Sequence, residues 1–274
     1  MNCVCRQYGG RELLYAYFPV MHTRCDLLLW RTDPQVETRR AAERIQDRLV
    51  GIERVASYFD PCSELSRVNA GAAAAPVVAS SELLTMIRIC LDGHKRTGGL
   101  FDITVRSEHH RPTTAERIRV GEQRIFYEEP GLKIDLSGFV KGYALDRVRE
   151  ILREEGVTDA LVNLGNSSVY ACGSDGRQEG WRIGYNGCFG AAASTPGIVL
   201  KDRFLTTSGN DSPTRRHIVD PRTGVLREGR GAVGVVTQSG ASGEMLSTSL
   251  FLAGEPQRHL LAERFGKVQY YELT

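Results

Sequence analysis

Two stretches with helical spacing follow one another early in this 274-residue chain with no strand-like run between them, and that succession most restricts the fold. From Pro34 to Ser57 apolar residues recur at Ile45, Leu49, Ile52 and Val55, spaced four, three and three, which is one face of a helix. The second stretch, SSELLTMIRICLDGHKRTGG, carries Leu83, Leu84, Ile87, Cys90 and Leu91 as one stripe. Ser80 or Ser81 caps its start, and Gly98 and Gly99 stop it. FDPCSELSRVN between the two is polar, bounded by Pro61, and reads as a loop with Ser63, Glu64 and Arg67 locally capped. Strand-like runs elsewhere are short: LLYAYFPVM (Leu13 to Met21), CDLLLWR (Cys25 to Arg31), about 117–127, 132–136, ALVNL, SVYAC, WRIGY, GIVL, FLTT, AVGVVT and KVQYYEL. Further helices are expected from Phe139 to Glu155, near Glu244 to Ala253, and from Gln257 to Phe265. Helices mixed with short strands, without strict alternation, predict an α+β fold and not a doubly wound parallel sheet. No repeat or long linker forces a cut, so residues 1–274 are expected to form a single domain, with 1–12 a loosely ordered extension.

Bulk properties exclude several classes. At 41% hydrophobic and 25% charged residues the chain has an ordinary soluble composition, without low-complexity tracts. Net charge is +2 and the basic residues are scattered. The one local cluster, Arg215 and Arg216 ahead of HIVDPR, is too small to grip a phosphate backbone, so no nucleic-acid partner is expected. The seven cysteines, at 3, 5, 25, 62, 90, 172 and 188, contain no zinc-like pair of pairs. Cys3 and Cys5 form a lone CxC, too little for a metal site, and reduced thiols are expected. MNCVCRQYGGRELL has no signal-like apolar run and nothing is long enough to span a bilayer, so no membrane segment and a cytoplasmic location are expected.

The stretch KIDLSGFVKGYALDRVRE, Lys133 to Glu150, runs from a strand-like segment through a small-residue turn into an amphipathic helix. Such a start leaves backbone N–H groups free and presents the positive end of the helix dipole, an anion site with Lys141 beside it.

Other constellations carry oxygen and nitrogen ligands. Glu244 and Thr248, four apart in SGEMLSTSLFLAG, emerge on one helix face, and with Ser247 they make an all-oxygen set suited to a hard cation such as Mg²⁺. Taken alone, that pair is more often a solvated face or a helix-start cap. HIVDPRTG offers His217, Asp220 and Arg222; its bland reading is a strand ending in a type I turn, and its chemical one is an imidazole general base. TTSGN (Thr206 to Asn210) reads as a small-residue loop able to approach a ligand. GGLFDITV places an aromatic and a carboxylate just after a helix stop, and NLGNSS is one more glycine turn.

Taken in order, PCSELSRVN, GGLFDITV, KIDLSGFVKGYALD, ALVNLGNSSVYACG, TTSGN, HIVDPRTG and SGEMLSTSLFLAG resemble the signatures of the ApbE family, the FAD:protein FMN transferases. The resemblance runs from about Met21 to the C-terminus. It implies an α+β fold with antiparallel-rich sheets packed by helices, FAD as substrate, Mg²⁺ as cofactor, and transfer of the FMN half of FAD to a threonine of an acceptor protein. Two alternatives stay open: an FAD-binding protein of this fold that has lost transfer, and an FAD pyrophosphatase giving FMN and AMP. A homo-oligomer is also left open.

Residue by residue, the resemblance implies that Met21, Phe59, Leu100, Phe101, Asp102, Lys141, Arg147 and Ile218 line the cofactor, with Lys141 near the pyrophosphate and Phe59 against the flavin. Ala144 is implied as a carbonyl ligand of the metal, with side-chain oxygens from Glu244, Thr248 and Ser247. His217 and Glu244 are the implied catalytic residues. Three positions depart from the family pattern: His22 replaces the glycine of an MGT motif, Glu244 replaces an aspartate, and GN replaces GG in NLGNSS. The connectors after FDITV and after TTSGN are short.

Overall fold

Along β2 (Arg11–Val20) the residues Leu14, Ala16, Phe18 and Val20 are buried while their neighbours stay partly exposed, the period of a strand with one covered face. The same alternation runs through β3 (Thr23–Arg31), where Cys25, Leu27 and Leu29 point to the same side. These strands belong to a computed structural model that describes residues 1–176, 179–184, 197–210, 217–229, 231–266 and 268–273. Cys188, Arg215 and Arg216, and the ends Tyr185 and Lys267 of two expected strands, lie outside the described residues.

Met21 and His22 form the two-residue turn between β2 and β3, with φ of +53° and +55°. A hairpin loop with both central residues left-handed is the primed type that matches strand twist. Position 22 therefore asks for a left-handed residue, which is a backbone reason for glycine there; here a histidine adopts that conformation.

Ahead of β2 lies β1 (Asn2–Tyr8), paired antiparallel from Asn2 opposite Tyr17 to Tyr8 opposite Arg11. The loose extension expected for residues 1–12 is thus corrected: these residues cover the backbone groups that β2 would otherwise leave open. After β3 come β4 (Ala160–Leu164), β5 (Ser168–Cys172), β6 (Arg203–Asn210), β7 (Gly231–Thr237) and β8 (Gln269–Leu273). All eight lie in one sheet in chain order, and every neighbouring pair is antiparallel. Helices α1 (Thr38–Ala56), α2 (Glu64–Gly71), α3 (Ser81–Arg96) and α4 (Val140–Glu154) are inserted between β3 and β4. Helices α5 (Gly240–Leu252) and α6 (Gln257–Arg264) are inserted between β7 and β8. This is the α+β arrangement with antiparallel sheets packed by helices.

The largest core lies between one face of the sheet and the helices, where Phe18, Leu27 and Leu29 meet Ile45, Leu49 and Ile52 of α1 and Phe139 and Leu145 at α4. Each such side chain contributes about 1.5–3 kcal/mol on burial. The opposite face packs Trp30, Val169 and Leu205 against Trp181, Ile198 and Leu200 of a small two-stranded sheet. Helix α5 is buried on nearly all sides, so its sequence is rich in Gly, Ala and Ser, and its polar side chains must find partners inside the protein.

Three further expectations are corrected. KIDL is not a strand: the Asn69 amide accepts from the Ile134 N–H and donates to its carbonyl, both at 2.8 Å, while Asp135 N–H donates to Ile103. A side-chain clasp and a loop thus satisfy backbone groups that a ladder would otherwise use. SELSRVN is not a loop but the start of α2, capped by Ser63, which accepts from Ser66 N–H at 3.0 Å. With only Leu65 and Val68 buried, an eight-residue helix is too short to show periodicity. TTSGN is the end of β6, pairing with β7 on one side and, at Thr206, with Ser168 of β5 on the other.

Arg48 of α1, Glu82 of α3 and Tyr143 of α4 tie three helices together. Burial alone would raise the Glu82 carboxyl, but its hydrogen bond and ion pair with Arg48 outweigh that and hold it below its ordinary value of 4.5. A carboxylate depressed in the folded state stabilises above its unfolded pKa, and that gain is lost as pH falls through the folded value. Urea unfolding of Arg48→Met is therefore expected to show a deficit against wild type at pH 7 that shrinks as pH is lowered from about 5 towards 3. A deficit independent of pH would rule out the ion pair as its cause.

Candidate active site at the crossing of two helices

α4 and α5 cross where Gly142 meets Gly240, so closely that a Cβ on Gly142 would lie 2.6 Å from Glu244 Cγ and closer still to the Gly240 carbonyl. The two helices cap one another across this contact. Asp146 of α4 is buried and accepts from Ser239 Oγ at 2.9 Å and from the N–H groups of Gly240 and Ala241 at 3.1 and 3.0 Å, the first turn of α5. Glu244 of α5 in turn accepts from the Gly142 N–H at the start of α4. Carboxylates at helix N-termini satisfy free donors and the positive dipole end. The anion that the sequence places at the mouth of α4 is, in this structure, the chain's own carboxylate.

Glu244 is only 4% exposed. Burial pushes its carboxyl up, and the Lys141 charge, the Ser168 hydroxyl and the Gly142 N–H pull it part of the way back. Ser168, on β5, donates to Glu244 Oε1, its Oγ lies 3.4 Å from that of Ser167, and Ser167 is bonded to Lys141 Nζ. One turn along α5, Ser247 Oγ and Thr248 Oγ1 lie 2.8 and 3.0 Å from Ser208 Oγ of β6. Thr206 Oγ1, on the same strand and facing Gly243, is buried without a hydrogen-bond partner among the described residues. The result is a largely buried cluster of one carboxylate and several hydroxyls.

The donor set fits a hard divalent cation. Every side-chain donor among Glu244, Ser247, Thr248 and Ser208 is an oxygen, none is soft, and a carboxylate that burial makes reluctant to ionise gains most from a cation beside it. Among the described residues no group of three His, Cys, Asp or Glu is arranged for a metal, so the candidate here is one carboxylate with hydroxyls. Ala144, fully buried three residues after Lys141, lies on the same helix.

The cofactor-side residues divide into groups. Leu100 and Ile218 pack in one cluster with Leu246 and Leu250 of α5, and His217, the residue before Ile218, is exposed. Phe101 is buried in the main core. The Asp102 carboxylate is buried and accepts the N–H and hydroxyl of Thr104, each at 2.6 Å. Met21 N–H donates to Glu53 at 2.8 Å. Phe59 is 57% exposed, with the His22 ring edge-on at 5.6 Å and the Arg106 guanidinium 5.6 Å above it. Arg147 is not brought to Glu244. It lies over the Tyr143 ring, pairs with Glu150 at 2.9 Å, and lines an open groove of about 500 Å³ with Arg44, Asp47 and Arg48. Asp220 and Arg222 close a turn, and Arg222 donates to the last carbonyl of α5, Leu252, at 3.3 Å. The hydrogen bond that Arg222 donates to Asp220 holds the Asp220 carboxyl below its usual range.

Ser167, Ser168 and Ser208 were not singled out from sequence as functional. They sit in NLGNSS and TTSGN, and only strand register shows that Ser168 and Thr206 are cross-strand neighbours beneath α5.

A family model described as "ApbE family" matches residues 21–271. A protein of Klebsiella pneumoniae named FAD:protein FMN transferase is 27% identical over 259 residues, covering 88% of this chain and 78% of that protein. A Salmonella typhimurium protein of the same name is 24% identical over 278 residues, covering 87% of this chain and 79% of its own. Among solved structures, the flavin transferase ApbE of Vibrio cholerae superposes with a TM-score of 0.83 at 22% identity, covering 96% of this chain and 93% of that one. The apo flavinyl transferase ApbE of Pseudomonas stutzeri superposes with a TM-score of 0.81 at 19% identity, covering 99% of this chain and 92% of that one. With the family match spanning nearly the whole chain and the same fold in these neighbours, the chain belongs to the ApbE family.

Proposed function

We propose that this protein is an Mg²⁺-dependent FAD:protein FMN transferase that attaches the FMN half of FAD to a threonine hydroxyl of an acceptor protein. The observation that carries the reading is the buried Glu244 carboxylate at the start of α4, with the Lys141 charge and the Ser168 hydroxyl beside it. The Ser247 and Thr248 hydroxyls, bonded to Ser208, lie one turn further along α5. In the reaction the threonine Oγ bonds to the FMN phosphorus, the pyrophosphate P–O bond breaks, and AMP departs. Glu244, Ser247, Thr248 and the Ala144 carbonyl would hold the metal, which would supply charge neutralisation on the non-bridging oxygens. Lys141 adds a second positive charge beside the pyrophosphate. His217 takes the proton from the threonine hydroxyl, whose own pKa is too high for it to ionise unaided. Leu100, Phe101, Asp102, Met21 and Ile218 line the dinucleotide, whereas Arg147, in the groove against α1, is left out of this reading. A cytoplasmic site of action is in keeping with the unpaired state of the described cysteines, and among the described residues no helix is long and apolar enough to cross a membrane.

The test is incubation of purified protein with FAD and Mg²⁺, with and without a peptide carrying a threonine flavinylation motif. Covalent flavin on the peptide threonine supports transfer. FMN and AMP released without peptide mark a pyrophosphatase, and intact FAD in both tubes marks a binder; either outcome overturns the reading. Phe59 supplies a separate check. Because its ring is largely exposed, Phe59→Ala is expected to leave the melting temperature unchanged and to weaken FAD binding about tenfold, the scale of one lost aromatic stack. Unchanged affinity in a flavin fluorescence titration would remove Phe59 from the site.

A further inference from the structure

The LFD segment carries a feature that its place in a cofactor pocket does not require. Two histidines from different elements converge on the same oxygen of Asp102. His110, in the connector after LFDITV, brings Nε2 to 3.3 Å from Oδ2, and His94, near the end of α3, brings Nδ1 to 3.7 Å from it. His94 Nδ1 also lies 3.1 Å from the Phe101 carbonyl, so that nitrogen carries the proton and donates. The other carboxylate oxygen is taken up by Thr104. The Asp102 side chain is fully buried, and both imidazoles are nearly so, at 9% and 12% exposure. Among the described residues no group of three His, Cys, Asp or Glu, this trio included, is arranged for a metal ion.

Both ends of the segment are independently tied. Gly98 and Gly99, with φ of +64° and +84°, turn the chain out of α3, and Gly99 N–H donates to the His94 carbonyl at 2.8 Å. Beyond the segment, Ile103 accepts from Asp135 and Ser107 Oγ accepts from Lys133 N–H. What these ties leave undetermined is the carboxylate between them. Thr104 satisfies only one oxygen, and a buried carboxylate short of donors is costly.

We infer that His94 and His110 are positioning residues that clamp Asp102 from two sides and hold Leu100, Phe101 and Asp102 in the shape that accepts the dinucleotide. This rests on the flavin-transferase reading. The clamp acts on affinity and not on the chemical step, because neither imidazole is placed at the α4–α5 crossing. Removing one ring leaves α3 and the connector anchored by their own cores but lets the segment between them shift.

The experiment uses the full chain and compares His110→Leu, His110→Gln and His94→Asn with wild type. Gln and Asn place an amide N–H where Nε2 and Nδ1 now stand; Leu does not. Readouts are the FAD Kd by flavin fluorescence, KM and kcat for FAD, thermal melting, and hydrogen exchange of residues 98–105. His110→Leu is expected to weaken FAD binding at least about tenfold, the scale of one charged hydrogen bond, raising KM with kcat unchanged and speeding exchange in 98–105. Both amide variants are expected to stay within about threefold of wild type. Equal loss in His110→Leu and His110→Gln, a fall in kcat alone, or unchanged exchange in His110→Leu overturns the clamp. Wild type that binds no FAD overturns the transferase reading instead, and the exchange measurement still decides whether the histidines hold the segment. Should His110→Leu fail to fold, His94→Leu takes its place with the same expected results.

Discussion

Glu244→Gln is expected to lower FMN transfer at least about a hundredfold while leaving the melting temperature of the apoprotein nearly unchanged. The amide keeps an oxygen to accept from Ser168 and from the Gly142 N–H, so the mutual capping of α4 and α5 survives. What goes is the negative charge. Among the described residues, the Ser168, Ser208, Ser247 and Thr248 hydroxyls clustered with this carboxylate are neutral, and Mg²⁺ needs a charged oxygen to give up part of its hydration. A second readout separates the loss of metal from a loss of chemistry: Mg²⁺ is expected to raise the melting temperature of wild type and not of the variant. If the variant transfers FMN at the wild-type rate, the carboxylate is a helix cap and nothing more. If it unfolds, its charge at the start of α4 is structural.

Gly142→Val is expected to destabilise the protein by more than about 4 kcal/mol, a large part of the roughly 5–15 kcal/mol that holds a typical domain folded. The added Cβ would overlap the Gly240 carbonyl and approach Glu244 Cγ to 2.6 Å. Neither is the flexible end of a side chain, so the helices would have to move apart, breaking both reciprocal caps. Gly138→Ala is the matched control. A Cβ at Gly138 meets nothing within 4 Å, and the change is expected to stay within about 0.5 kcal/mol in urea unfolding. Similar losses in the two variants would show that SGFVKG needs glycine for backbone freedom and not for helix contact.

These two expectations divide one short motif between chemistry and packing. VKG opens α4, yet Lys141 turns to Ser167 in the turn between β4 and β5 while Gly142 admits the neighbouring helix. A lysine and a glycine side by side read from sequence as a phosphate cradle. In the folded chain they first accommodate Glu244.

The fold was legible wherever a pattern is local. The helical spacing of Ile45, Leu49, Ile52 and Val55 predicts α1, Ser80 caps α3 as expected, and the residues before Met21 and after Arg24 read as a pair of strands. KIDL failed because its apolar alternation says nothing about Asn69, 65 residues away, which takes the backbone bonds at Ile134. SELSRVN failed because eight residues hold too few turns for a period. Asn2–Tyr8 failed because a mostly exposed strand shows no hydrophobic alternation; only pairing with β2 orders it.

The candidate site divides the same way. Residue identities alone mark Glu244, Ser247 and Thr248 as one helix face, because helical geometry fixes which side chains emerge together. They cannot say that this face lies on β6, that Ser208 meets both hydroxyls, or that Ser168 holds Glu244. Nor can they say that Arg147 turns toward α1 and away from Glu244. The sequence determines the elements and the kinds of ligand they carry, since propensity and period act over a few residues. The tertiary structure decides which ligands meet, since strand register and the Gly142–Gly240 crossing depend on contacts that are distant along the chain.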